Sequence, residues 1–101
     1  MSSTDRFSEP TLFILISLAD GNKHGYAIME DTEDSYDIKI GPGTLYGAIS
    51  RMEKLKYIEA IPSQDRKKPY QITSEGREYL QGKLKEIDTV TKLGFKRLGL
   101  I

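Results

Sequence analysis

The sequence predicts a mainly helical α+β fold, a winged helix-turn-helix with three helices, a two-stranded wing and a long C-terminal helix. Apolar residues recur at helical spacing in four segments, and two short strand-like segments around a polar turn separate the third from the fourth. This element order is that of a winged helix-turn-helix. We therefore divide the 101 residues into a winged domain, residues 1–73, and a dimerisation helix, residues 74–101.

Composition excludes several classes of protein. Hydrophobic residues make up 38% and charged residues 30%, which is typical of a folded globular domain. Because the chain has no Cys and one His, we predict no metal site and no cofactor. The net charge of zero argues against indiscriminate coating of nucleic acid, although a local basic face is compatible with it. Without a signal-peptide pattern or a long apolar run, we expect a cytoplasmic protein that does not contact membranes.

The first two helices have clear start and stop signals. Ser8 is a suitable cap for the first helix, and Pro10 fits its first turn. The segment from Thr11 to Ala19 is apolar on most sides, which predicts a largely buried helix. Either Asn22 or His24 could cap the second helix, which we expect to give way near residues 35–36 to an extended link.

Two features of the second helix have ordinary structural interpretations. His24 could titrate as a pH switch or contact phosphate, but capping beside the small Gly25 explains it more simply. The carboxylates from Glu30 to Asp37 lack the alternating ligands and glycine of a calcium loop, so we interpret them as a solvated helix end.

The third helix has two distinct faces. Pro42 marks its first turn, after Gly41. Its predicted buried stripe consists of Leu45, Ala48, Ile49, Met52 and Leu55. The opposite face is small and polar, with Gly43, Gly47, Ser50 and Lys54 flanked by Tyr46 and Arg51. Such a face suits contact with a polar surface.

The hairpin has a cationic tip. We predict strands over residues 57–61 and 70–73, joined by a turn that carries Arg66, Lys67 and Lys68. Over residues 42–73 six Lys and Arg side chains stand against three Asp and Glu side chains. Because this excess follows the polar face of the third helix, it favours a DNA-binding surface over an ordinary solvated loop.

The last helix presents an apolar stripe that this small domain cannot cover. Thr73 is a plausible cap, and Leu80, Leu84, Ile87, Thr91 and Leu98 keep a heptad-like spacing. We therefore predict packing against a second copy of the chain. The dimer interface predicted on this helix comprises Leu80, Leu84, Ile87, Thr91, Phe95 and Leu98.

Double-stranded DNA is the partner that these patterns favour. Side chains on the third helix would enter or flank the major groove, the start of that helix would face phosphate, and the wing would grip phosphates or reach into the minor groove. The predicted DNA-binding residues are Gly43, Thr44, Tyr46, Gly47, Ser50, Arg51, Lys54, Arg66, Lys67 and Lys68.

Several of these stretches also carry a family resemblance. They are His24-Gly25-Tyr26, Gly43-Thr44-Leu45-Tyr46, Arg51-Met52-Glu53-Lys54-Leu55, Ile58, Arg66 to Lys68, Tyr70-Gln71-Ile72-Thr73 and Gly76. In this order and spacing they resemble the PadR family of bacterial transcriptional regulators over residues 9–80. The resemblance implies a homodimer whose last helix packs against the partner's first and last helices, which adds Leu12 and Leu15 to the predicted interface. It also implies repression of genes at an inverted-repeat operator, often relieved by a small molecule. The chain departs from the family at Gly41, where a capping Ser is common, and at Gly47, where Pro is common.

Two other classes of function are alternatives to DNA binding. A winged helix can serve as a protein–protein interaction module without sequence-specific DNA binding, and the net neutrality with an acidic run permits this. An enzyme is disfavoured, because the sequence has no nucleophile constellation, phosphate-binding glycine loop or metal cluster. A small apolar effector could lie at the dimer interface near Phe13 and Phe95.

Overall fold

The computed structural model describes residues 10–64 and 66–101, which form a helical domain with a small sheet. Its elements are α1 (Pro10–Ala19), β1 (Lys23–His24), α2 (Gly25–Tyr36), α3 (Pro42–Lys54), β2 (Ile58–Ala60), β3 (Pro69–Ile72) and α4 (Ser74–Arg97). This order confirms the predicted winged helix-turn-helix with its long last helix. Ser8, the predicted cap of α1, lies outside the described residues.

The sheet has three antiparallel strands rather than the two that the sequence predicted. Its order is β1-β3-β2, with Tyr70 of the central strand opposite Lys23 on one side and Ala60 on the other. The prediction missed β1 because two polar residues show no alternation of apolar and polar side chains. The extra strand ties the start of α2 to the wing, since His24 pairs with Pro69.

The core lies where α1, α3 and the inner face of the sheet meet. The predicted stripe of α3 is confirmed at Leu45, Ala48, Ile49 and Met52, which are all buried. Leu55 was predicted to belong to this stripe, but it is 59% exposed. The helix ends one residue earlier, so Leu55 turns away from the core as the C-cap.

Side-chain hydrogen bonds cap the N-termini of two helices, α2 and α4. The Nδ1 atom of His24 accepts a hydrogen bond from the Ala27 amide at 3.3 Å, which confirms the capping interpretation. Thr73 Oγ1 accepts from the Gly76 amide at 3.0 Å and donates to the Lys56 carbonyl at 2.6 Å. Thr73 therefore joins the start of α4 to the chain that leaves α3.

Two further features hold α3, the wing and α4 together. Lys56 adopts a left-handed conformation (φ 64°) directly after α3, and the Tyr57 amide donates to the Met52 carbonyl at 2.9 Å. This reversal leads the chain into β2. The Tyr57 ring then stacks on Tyr79 of α4, with ring centroids 4.5 Å apart.

Most of α4 extends beyond the domain. The helix has 24 residues and is therefore about 36 Å long, yet only Gly76 and Leu80 in its first third are buried. The molecule is accordingly elongated, measuring 54 × 26 × 25 Å. Within the part of the chain that the structure describes, no helix is both long and apolar enough to cross a membrane.

Candidate nucleic-acid interface

The outer face of α3 is open to solvent from its first turn to its last. Gly43, Thr44, Gly47 and Ser50 are all exposed, as the sequence predicted for a contact face. Gly41 precedes the helix without a side-chain cap, and Pro42 occupies the first turn. The positive end of the helix dipole therefore remains available to an anion.

Two cations lie near the other end of α3. Arg51 and Lys54 are exposed in its last turn, where they also complement the negative end of the helix dipole. Within residues 10–64 and 66–101 the salt bridges are Lys39–Glu33, Lys83–Glu86 and Lys92–Asp88. None of the predicted DNA-binding cations is neutralised in these pairs, so their charge remains available to a partner.

Tyr46 has a different environment from the rest of this face. Its side chain is 50% exposed, and its ring lies against the backbone of Gly25 at the start of α2. A Cβ atom built on Gly25 would lie 2.5 Å from the Tyr46 hydroxyl oxygen and 2.8 Å from Cζ. Only glycine at position 25 leaves room for the ring in this position.

A cleft separates this ring from the wing. It encloses about 490 Å³, and its lining residues are His24, Gly25, Tyr26, Tyr46, Arg66, Lys67, Lys68 and Tyr70. Three exposed cations of the wing tip thus share one concave surface with three tyrosines and the N-terminal turn of α2. The cleft is suited to an anion.

Tyr70 forms the buried wall of the cleft. Burial raises the pKa of its phenol, and the nearby Glu53 and Tyr46 raise it further. The phenol therefore stays protonated at neutral pH.

The sequence did not predict Gly25, Tyr26 or Tyr70 as site residues, although the structure brings them to the cleft with Tyr46 and the wing tip. They meet through the pairing of β1 with β3, an element that the sequence did not reveal. Tyr26 and Tyr70 do lie within stretches that carried the family resemblance. That resemblance was the available signal for them.

The predicted dimer residues separate into two groups. Leu15 is 0% exposed and Leu80 is 6% exposed, because both belong to the core of the single chain. Leu15 has no free surface for a partner, and we remove it from the predicted interface. Leu12 and Ile87 are partly buried, and the remaining positions are exposed: Leu84, Thr91, Phe95 and Leu98.

Among the described residues, acidic side chains do not form a candidate metal centre. In the described ranges no three or more His, Asp or Glu side chains are grouped so that they could hold a metal ion. Most carboxylates of α2 lie instead along its second half, where Glu33 pairs with Lys39 at 3.8 Å.

Comparison with known proteins places this architecture in a family. The sequence model of the transcriptional regulator PadR-like family matches residues 14–82 of this chain. The chain is 35% identical over 81 residues to an uncharacterized protein X of Lysinibacillus sphaericus, and the match covers 72% of each. It is 37% identical over 76 residues to an uncharacterized 37.1 kDa protein in transposon TN4556 of Streptomyces fradiae, but spans only 22% of that protein's length.

Solved structures match along nearly the whole chain. A transcriptional regulator from Clostridium thermocellum is 30% identical with a TM-score of 0.80, over 95% of this chain and 96% of that one. A PadR family transcription regulator from Clostridium difficile is 26% identical with a TM-score of 0.79, over 88% and 97%. The family consists of transcriptional regulators, which confirms the prediction that the chain is not an enzyme. The chain belongs to the PadR-like family of transcriptional regulators.

Proposed function

We propose that the chain is a homodimeric repressor that binds an inverted-repeat DNA operator through α3 and the wing. One observation carries the proposal: the exposed cations of α3 and of the wing tip border the polar face of α3 without salt-bridge partners among the described residues. A basic surface next to an exposed helix is the electrostatic footprint of a DNA-binding winged helix.

The residues divide into two roles. Ser50, Arg51 and Lys54 point away from the core on α3 and would meet base edges in the major groove. An Arg that makes two hydrogen bonds to guanine discriminates by about 1–3 kcal/mol. Thr44 and the backbone at the start of α3 would face phosphate, as would the wing tip.

The distribution of acidic residues is compatible with this orientation. On α2 the carboxylate of Glu30 lies at the middle of the helix, and those of Asp31, Glu33 and Asp34 lie in its second half, away from the end that borders the cleft. Their repulsion of phosphate is therefore kept away from the basic surface. A net charge of zero can thus coexist with a local DNA-binding face.

The apolar side of α4 supports the homodimer. Leu84 is 42% exposed, Phe95 44% and Leu98 74% in the single chain, at the heptad-like spacing of the stripe. A continuous apolar stripe on a projecting helix is usually covered by another helix. A second copy would bury it and would position two copies of α3 to read two half-sites.

Replacing Phe95 and Leu98 together with Glu should convert the dimer to a monomer at micromolar concentration. Two carboxylates cannot be buried in an apolar seam without a large desolvation cost. Sedimentation equilibrium measures the change. Thr89→Glu adds a charge on the opposite side of the same helix and should leave the dimer intact. A wild-type chain that sediments as a monomer would contradict the proposed dimer.

The operator itself can be found without knowing the regulated gene. Purified protein is used to select binders from a library of random duplexes, and the enriched duplexes are sequenced. We expect two half-sites related by two-fold symmetry, because each protomer reads one. Enrichment of a single unrepeated half-site, or of no sequence, would contradict the proposal and favour a protein–protein interaction module.

The remaining part of the proposal is that a small apolar molecule releases the repressor from its operator. Such a molecule would lie at the seam between protomers, where Phe95 is exposed. Phe13 is a second candidate for lining this effector site. It packs against Tyr36 at 5.0 Å between ring centroids and is partly buried in the single chain.

A further inference from the structure

The position of Tyr46 sets it apart from the other residues on the exposed side of α3. Along the helix, Tyr46 and Arg51 stand on opposite flanks of the outer face that contains Ser50 and Lys54. The Tyr46 ring turns back onto Gly25 of α2 rather than outward. Tyr46 and Gly25 both line the cleft between α2 and the wing, so the hydroxyl that lies against Gly25 is at its wall.

We propose that Tyr46 anchors a DNA backbone phosphate in this cleft and does not read a base. This inference rests on the proposed function, since it assigns a role within the same DNA-binding surface. It changes the sequence-based interpretation, in which Tyr46 shares the major-groove role of Arg51.

The chemistry of the cleft selects a phosphate group. Arg66, Lys67 and Lys68 supply positive charge from one wall, and the Tyr46 hydroxyl supplies a hydrogen-bond donor from the other. The first turn of α2 adds the positive end of a twelve-residue helix dipole. A phosphodiester has two charged oxygens, which can accept from both walls at once.

The contact with Gly25 places the Tyr46 ring against backbone that is itself fixed. Gly25 is buried and has no side chain, so the ring rests directly on the α2 backbone. The His24 cap fixes that backbone through its bond to Ala27, and the pairing of His24 with Pro69 fixes the wing beside it. A donor whose ring rests on fixed backbone loses less conformational freedom when the phosphate binds.

A DNA phosphate rather than a free phosphate ion is the occupant that we assign. The cleft opens beside the exposed face of α3, and its cations belong to the wing tip, so DNA that lies on α3 would pass across its mouth. Free inorganic phosphate has the same chemistry and is therefore one arm of the test.

The test compares Tyr46→Phe with wild type on two duplexes, the selected operator and a scrambled sequence, by fluorescence anisotropy at fixed salt. Removing only the hydroxyl keeps the ring on Gly25. The change removes this charge-assisted hydrogen bond from both protomers, so binding to each duplex should weaken by roughly tenfold or more while their affinity ratio stays constant. Tyr36→Phe removes a hydroxyl from a tyrosine outside the cleft and should change neither affinity.

Three results would overturn the assignment. Weaker operator binding with unchanged binding to the scrambled duplex would make Tyr46 a base reader. Unchanged binding to both would remove any role for its hydroxyl in DNA binding. Saturable binding of inorganic phosphate that Tyr46→Phe abolishes, without an effect on either duplex, would assign the cleft to a free ion. Failure of wild type to bind either duplex would instead reject the proposed function, which distinguishes the two claims.

Discussion

Replacing Arg66, Lys67 and Lys68 together with Ala is expected to weaken binding to every DNA duplex by about a hundredfold or more at 0.1 M salt. Each cation is exposed and outside the salt bridges of the described residues, so each can neutralise one phosphate. The same substitution acts in both protomers of a dimer. The slope of log K against log salt should become shallower by about 0.9 for every phosphate that is no longer neutralised.

The affinity ratio between the operator and a scrambled duplex should change little in this variant, because phosphate binding carries no sequence information. A matched control replaces Lys85, Lys92 and Lys96 of α4, which removes the same charge from a helix that does not line the cleft. This control should retain most of the affinity. Equal reductions in affinity in the two triple variants would show that net charge, and not the wing, determines binding.

Replacing Gly76 with Ala should lower the free energy of unfolding by about 2–3 kcal/mol. A Cβ atom there would overlap the carbonyl oxygen of Tyr57 and lie 2.9 Å from Cγ1 of Ile72. The first clash is with backbone, which a rotamer change cannot relieve. Overpacking of this kind costs about 1–3 kcal/mol or more and outweighs the better helix propensity of Ala.

The measurement is denaturant unfolding followed by circular dichroism, at one protein concentration because a dimer's stability depends on it. Gly82→Ala is the matched control on the same helix. Nothing lies within 4 Å of a Cβ at Gly82, so this change should raise stability by up to about 1 kcal/mol. Similar effects of the two substitutions would contradict the close approach of α4 to Tyr57.

Local sequence signals predicted most of the helices well. Capping chemistry at His24 and Thr73 acts within three residues, so it is visible without a fold. The buried stripe of α3 follows from helical spacing and was wrong only at Leu55, where the helix had already ended. The end of α3 depends on the chain reversal at Lys56, which has a left-handed conformation. Because lysine rarely adopts this conformation, the sequence does not predict it.

Features that depend on distant parts of the chain could not be predicted. Strand β1 exists because Lys23 and His24 lie beside β3, some forty-five residues later. The cleft follows from the same pairing, which is why Tyr70 was missed as one of its walls. Likewise, an apolar residue of α1 such as Leu15 cannot be assigned to core or interface from spacing alone.

The most direct test of DNA recognition by α3 and the wing is the affinity of the wild-type protein for its selected operator and for a scrambled duplex, between about 50 and 200 mM salt. We expect preference for the operator by about 10³-fold or more, with both affinities falling steeply as salt rises. Equal affinities for the two duplexes, or affinities that do not change with salt, would contradict DNA recognition by α3 and the wing.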